Sequence, residues 1–337
     1  MAKKSKKKSN RRVLLLILLL LVTGVTLSTS SYAWFTANKT VAVGSIKVNV
    51  EAQNGIQISA DGTTWKSIVQ TADITSVHNT TYTASINQIP ETLEPVSTAG
   101  IIDASGKMEM FYGNVASKDG NYILTAEQSV ETESNGTAST GKFVAFDLFF
   151  RVDATSPIYL TTNSGVITED ASDNGIKNAT RVGFVVLGNT PVGSSIDTIQ
   201  GLNAGTASNK YIWEPNYNVH TDAAIAHARD TYGLTVTNPS DTAVAYHGIK
   251  AAFTDANNVL VGNASATNFP DYFEAVDPSY KTIQGFSDYL PIFSLTSGIT
   301  KVRIYMWIEG QDIDCENNAS GGSVTYNLQI STNSSAS

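Results

Sequence analysis

Glu309, Asp312, Asp314 and Glu316 put four carboxylates into eight residues near the C-terminal end of the chain. Asp312, Asp314 and Glu316 repeat every second residue, which is the alternate-oxygen spacing of a calcium-binding loop. Asn317 and Asn318 could add oxygens, but the glycine at the sixth position and the distant bidentate glutamate of an EF-hand are missing. A calcium site at Asp312, Asp314 and Glu316 therefore stands beside a plainer expectation. That is a solvated acidic turn leading into a hairpin at Gly321-Gly322. The four histidines are His78, His220, His227 and His247. His220 and His227 are seven apart and could share a helix face, yet His220 precedes the expected N-cap and no glutamate lies between them. With no HExxH and no cysteine pair, a zinc peptidase is disfavoured and the histidines read as surface residues. There is no GxSxG, phosphate loop or dinucleotide fingerprint, so no catalytic residue is assigned and no enzyme is expected. Cys315 is the only cysteine; it is either buried or free to bridge to another chain. Tyr211, Trp213 and Tyr217 could stack on sugar rings, or could close a small core beneath a long loop.

Strands must position these residues. Val144 to Val152, Val302 to Ile308, Val324 to Ile330 and Ile46 to Val50 alternate apolar and polar side chains, as half-buried antiparallel strands do. Between them recur Asn54-Gly55, Asp61-Gly62, Asp119-Gly120, Asn135-Gly136 and Asn174-Gly175, pairs that accept the positive φ of tight turns. Helical signals are few: Thr221 to Arg229, with Thr221 or Asp222 as N-cap, and one turn at Ile196 to Leu202. The stretches 189–231 and 255–282 read as long insertions. The fold class expected is all-β: an antiparallel β-sandwich of jelly-roll type with long loop insertions and one or two short helices.

The first residues carry an address. Lys3, Lys4, Lys6, Lys7, Lys8, Arg11 and Arg12 precede an apolar run from Val13 to Val22 that fades towards Leu27. Ser31 and Ala33 then offer small side chains to a signal peptidase, with Trp34 as the first mature residue. Residues 1–33 are thus expected to be a cleaved signal and 34–337 a secreted β-sandwich domain, meeting a membrane only through the uncleaved signal. The mature part carries 15 Lys+Arg against 30 Asp+Glu. That balance argues against nucleic acid or an anionic membrane surface as partner.

The junction Ser31-Tyr32-Ala33-Trp34-Phe35-Thr36 resembles the exit signal of the TasA/camelysin family. These are exported proteins of Gram-positive bacteria processed by a SipW-type signal peptidase. Val43-Gly44-Ser45-Ile46-Lys47-Val48 is similar to the family's first strand, and the resemblance covers roughly residues 10 to 50. It implies a jelly-roll secreted or cell-surface subunit that assembles into biofilm-matrix filaments. In such fibres the segment freed by cleavage pairs with the next subunit's sheet. Here that assembly strand would include Trp34, Phe35, Val43, Ile46 and Val48. The alternatives are a monomeric extracellular binding module for glycan or protein, and a metallopeptidase of the camelysin type, disfavoured by its missing ligands. Terminal sequencing of the secreted form is expected to begin at Trp34; retention of Lys3 to Leu27 would instead mark a membrane-tethered domain.

Overall fold

The computed structural model describes residues 47–52, 55–78, 80–90, 92–131, 142–168, 175–205, 209–285, 291–315 and 324–333. The first sheet, sheet A, runs β15 (Pro291–Leu295), β8 (Ser156–Leu160), β17 (Val324–Ser331), β1 (Lys47–Ala52), β3 (Ile68–Gln70), with β9 (Gly165–Thr168) also on β17. The second, sheet B, runs β14 (Tyr280–Thr282), β11 (Lys210–Pro215), β10 (Thr180–Thr190), β16 (Gly298–Ile308), β7 (Val144–Val152), β2 (Gln57–Ser59), with β4 (Asn87–Gln88) also on β7. Two hairpins complete the strands: β5 (Met110–Lys118) with β6 (Asn121–Ser129), and β12 (Tyr246–Ile249) with β13 (Phe273–Val276). The architecture is an all-β sandwich, as expected. Two pairings are parallel rather than antiparallel: β1 with β17, and β11 with β14.

Alternation in the strands builds the core. Val302, Ile304 and Met306 of β16, Val182 and Phe184 of β10, and Phe146 and Leu148 of β7 share one cluster with Val50, Tyr326 and Leu328 of sheet A. The other face of sheet B departs from expectation. Half-buried strands would turn Lys301, Arg303, Tyr305 and Trp307 to water, but β16 is buried along its whole length. A second apolar layer covers that face, in which Ile86, Val96, Met108 and Met110 pack on Ala145, Val185, Tyr305 and Trp307. Polar side chains on that face pair with one another. Asp147 accepts from Arg303 Nε (2.7 Å) and from the Tyr82 hydroxyl (3.1 Å), and lies 3.4 Å from Lys301 Nζ. Burial pushes the Asp147 carboxyl up, but Arg303 and Lys301 outweigh it and leave its pKa below the ordinary value.

The stretches expected as insertions are partly sheet. Residues 189–231 supply β11 and 255–282 supply β14, the outer strands of sheet B. Three α-helices occur among the described residues: α1 (Thr71–Val77), which the periodicity did not signal, α2 (Ile196–Gln200) and α3 (Asp222–Tyr232). Thr221 caps α3 by accepting from Ala224 N–H, and Gly233 ends it at φ 67°. Asp119-Gly120 makes the two-residue turn of the β5–β6 hairpin, with φ 51° and 79°. Among the described residues no helix is long and apolar enough to cross a membrane.

Because Ile304 sits at 0% exposure in the middle of the central strand, Ile304→Ala is expected to lower unfolding stability by about 2–5 kcal/mol in urea titration. Val192→Ala, at a 56% exposed position, should stay within about 0.5 kcal/mol. A loss at Ile304 no larger than that at Val192 would contradict the packing described.

Candidate functional site

The polar residues converge where β16 ends and residues 309–315 follow it. Arg181, the second residue of β10, is fully buried there. Its Nη2 donates to Glu214 Oε1 of β11 (2.8 Å) and to the Asp312 carboxylate. Its Nη1 donates to the carbonyls of Asn178 (3.0 Å) and Thr180 (2.9 Å). The ring of Tyr246 lies 5.5 Å from the guanidinium.

Residues 309–315 are held in place by their own carboxylates. Glu309 accepts from Trp307 Nε1 (3.0 Å) and from the Gln311 backbone N–H (3.1 Å). Asp312 Oδ1 accepts the Asp314 N–H (2.8 Å). Asp314 Oδ2 meets His220 Nδ1 at 2.7 Å, and its Oδ1 accepts the Thr221 N–H (3.1 Å) just ahead of α3. Ala224 and Ala228 of α3 pack on Ile313. Gly175 approaches from the other side at φ 84°, and a Cβ there would lie 2.7 Å from the Asp314 carbonyl oxygen, so only glycine fits.

One guanidinium and one histidine thus face Glu214, Asp312, Asp314 and Glu309. Burial wins at three of these. It pushes Glu214 up to about 7 despite Arg181, Glu309 up to about 7 despite its hydrogen bonds, and Asp314 up to about 6 despite His220. Burial disfavours a charged His220, but the hydrogen bond and charge of Asp314 outweigh it and raise its pKa. Burial thus keeps protons on Glu214 and Glu309 at pH values where an ordinary carboxyl is ionised, which reduces the negative charge gathered around Arg181.

This corrects the expectation of a solvated acidic turn. Residues 309–315 are buried, because Arg181 and His220 draw the carboxylates inwards. Asp312 and Asp314 are committed to those partners, and Glu316 lies outside the described residues. Among the described residues no group of three or more His, Cys, Asp or Glu is placed to hold a metal ion. His227 stacks on Tyr232 at 5.3 Å rather than joining His220. Cys315 is buried in the core and takes no part in a disulfide. Trp213 is not a surface aromatic: at 0% exposure its Nε1 donates to Thr282 Oγ1 (3.0 Å), joining β11 to β14. Tyr211 stacks on Phe293 at 5.3 Å. The expected peptidase site, Ser31, Ala33 and Trp34, and the assembly residues Phe35, Val43 and Ile46 lie outside the described residues. Val48 is on β1, opposite Tyr326 of this chain's own β17.

Next to the buried centre opens a cavity of about 250 Å³. Gln311 and Ile313 form its floor from the carboxylate segment, Tyr246 and His247 come from β12, and Tyr232 from the end of α3. Gly262, Asn263, Ala264, Ser265, Thr267 and Asn268 also line it. Sequence reasoning missed Arg181, Glu214, Tyr246 and Asn263. The available signal was a lone arginine opening the apolar run from Val182 to Leu187.

The raised carboxyl of Glu214 sets a sign for stability against pH. The folded state holds its proton up to about pH 7, whereas the ordinary value is 4.5. Its stabilising contribution is full below pH 4.5 and is lost as pH rises through about 7. Glu214→Gln keeps an oxygen for Arg181 and does not titrate, so the fall in urea stability across that window should become shallower. An unchanged slope would show that Glu214 does not hold a proton in the folded state. No protein-family model, curated protein or solved structure matches this chain, so what the site does is argued from its residues and their geometry.

Proposed function

We propose that the chain is a secreted structural subunit, not an enzyme, that self-assembles head to tail into extracellular filaments after a SipW-type peptidase frees Trp34. The supporting observation is the layout of sheet A. The described part of the expected donor strand, Lys47–Ala52, is already paired inside the sheet, between β17 and β3. The donor is then the preceding segment, Trp34 to Ile46, which carries the aromatic pair Trp34-Phe35. At about 3.3–3.6 Å per residue its thirteen residues could reach roughly 40 Å from β1.

An acceptor edge lies at the far end of the same sheet. β15 pairs with β8 on one side and has no partner strand on the other among the described residues. Its residues, Pro291, Ile292, Phe293, Ser294 and Leu295, include no charge of the kind that guards exposed edges. The opposite edge, β3, has three residues and is flanked by the Lys66–Asp73 ion pair at 2.5 Å. Donor and acceptor are different patches, so each contact is heterologous and, unless it closes into a ring, extends without limit.

Negative-stain microscopy and light scattering of chains starting at Trp34 should show filaments. Chains starting at Lys47 should not, and Ser294→Lys, at an exposed position on the acceptor edge, should abolish or shorten them. A Trp34 chain that stays monomeric at high concentration overturns the proposal.

A further inference from the structure

Residues 218–240, between β11 and β12, fold back on themselves beside the buried centre. Ser240 N–H donates to the Asn218 carbonyl (2.8 Å). The Asn238 side chain accepts the His220 N–H (3.3 Å) and donates to the His220 carbonyl (2.7 Å), so the two ends of the excursion close on each other. Its own core is small. Ala224, Ala228 and Ile313, with Tyr232, Val236 and Val244 against them, form a cluster apart from the two layers of the sandwich. At the base, Tyr217 N–H donates to the Thr282 carbonyl (3.2 Å) and Gln284 N–H to Asn218 Oδ1 (2.8 Å). Beyond the base, one carboxylate, Asp314, meets both His220 and the Thr221 N–H. A segment with a small separate core, a tied base and an ionic clasp can open locally while the rest stays folded.

We infer that residues 218–240 are a proton-held flap, closed on residues 309–315 while the centre keeps its protons and lifted as the pH rises through neutrality. Charge balance argues first. The clasp sits among Glu214 of β11 and Glu309, Asp312 and Asp314, and among the described residues Arg181 of β10 and His220 are the cations that face them. Lys281 of β14 also acts on Glu214, but its ammonium is paired with Asp277. Tyr246 of β12 and Tyr232 of α3 are kept neutral by burial, and Cys315 follows the clasp as a buried thiol. Each proton lost from the centre adds negative charge that these cations cannot balance, and lifting the flap lets water solvate it. Direction argues second. Burial pushes Glu214 and Glu309 up to about 7, and Asp314 outweighs burial to raise His220 above its ordinary 6.5. The closed form therefore gains full stabilisation below pH 4.5 and 6.5 respectively, and loses it as pH rises through about 7 and through the raised value of His220. Asp314, pushed up to about 6, loses its share earlier. His227 of α3 runs the other way: burial lowers its pKa, so its contribution is complete above pH 6.5 and is lost on acidification. Above pH 6.5 only the opening direction remains.

Hydrogen-exchange mass spectrometry tests this on the chain that begins at Trp34. It compares peptides within one sample, so the reading does not depend on assembly. One proton released per opening makes the open form about tenfold more populated per pH unit. Protection factors in α3, corrected for the pH dependence of chemical exchange, should therefore fall about tenfold between pH 6.5 and 8 and recover on return to pH 6.5. Those of β16 should stay level. The double variant Glu214→Gln with Glu309→Gln does not titrate there, and should cut the fall to about threefold or less. Should that variant fold poorly, Glu309→Gln alone should still halve the fall, to about fivefold. Asp230→Asn, on the exposed side of α3, should leave it unchanged. Protection of α3 that does not vary with pH, a loss in β16 that keeps pace with α3, or glutamine variants that respond like the unaltered chain would overturn the inference.

Discussion

Arg181 is the constraint around which one end of the sandwich is organised. A guanidinium at the start of a central strand cannot shed its charge, so burying it demands carboxylates at short range. They come from β11 and from the segment after β16, elements far apart in sequence. Removing one member of such a buried pair typically costs about 3–5 kcal/mol, because the remaining charge is stranded. The pairing thus ties residues 309–315 to β10, in the middle of sheet B. Asp314 extends the tie to His220 and to the start of α3.

The surplus of carboxyls over cations gives the centre its second property. Glu214 and Glu309 are each pushed up to about 7 by burial, so the structure holds protons that the unfolded chain would release at the same pH. The Asp147–Arg303 network on the same face of sheet B has the opposite balance. There two cations face Asp147, and it stays ionised. Glu131, 3.5 Å from Arg303 in the same network, is nevertheless raised by burial, so similar side chains on one sheet face titrate in opposite directions as burial or the nearest cations prevail.

Much of the scaffold was legible as period-two alternation. Val144 to Val152, Val302 to Ile308 and Val324 to Ile330 are strands because their apolar residues recur every second position, and Asp119-Gly120 turns a hairpin because both residues accept positive φ. What could not be read was which polar faces would be covered. Lys301 and Arg303 look solvent-facing by pattern, yet Tyr82, Gln200 and Glu131 close over them, contacts that no local periodicity encodes. β10 escaped because it is apolar on both faces, as a strand buried on both sides must be. Trp213 takes the buried one of its two expected roles, although it packs between β11 and β14 rather than beneath a loop, because the stretch around it supplies a strand. The acidic segment 309–315 was visible as a cluster, but its partners Arg181 and His220 lie over ninety residues away.

The parallel pairing of β1 with β17 joins residues from opposite ends of the described chain. A polypeptide emerging in order can pair its earliest described strand with β3 at once, but the other edge of that strand waits for β17, nearly the last to arrive. Closing so long a loop is slow and gains nothing until it is complete. Sheet A is therefore the last element able to finish, since β1, β8 and β9 all wait for β17 to join them.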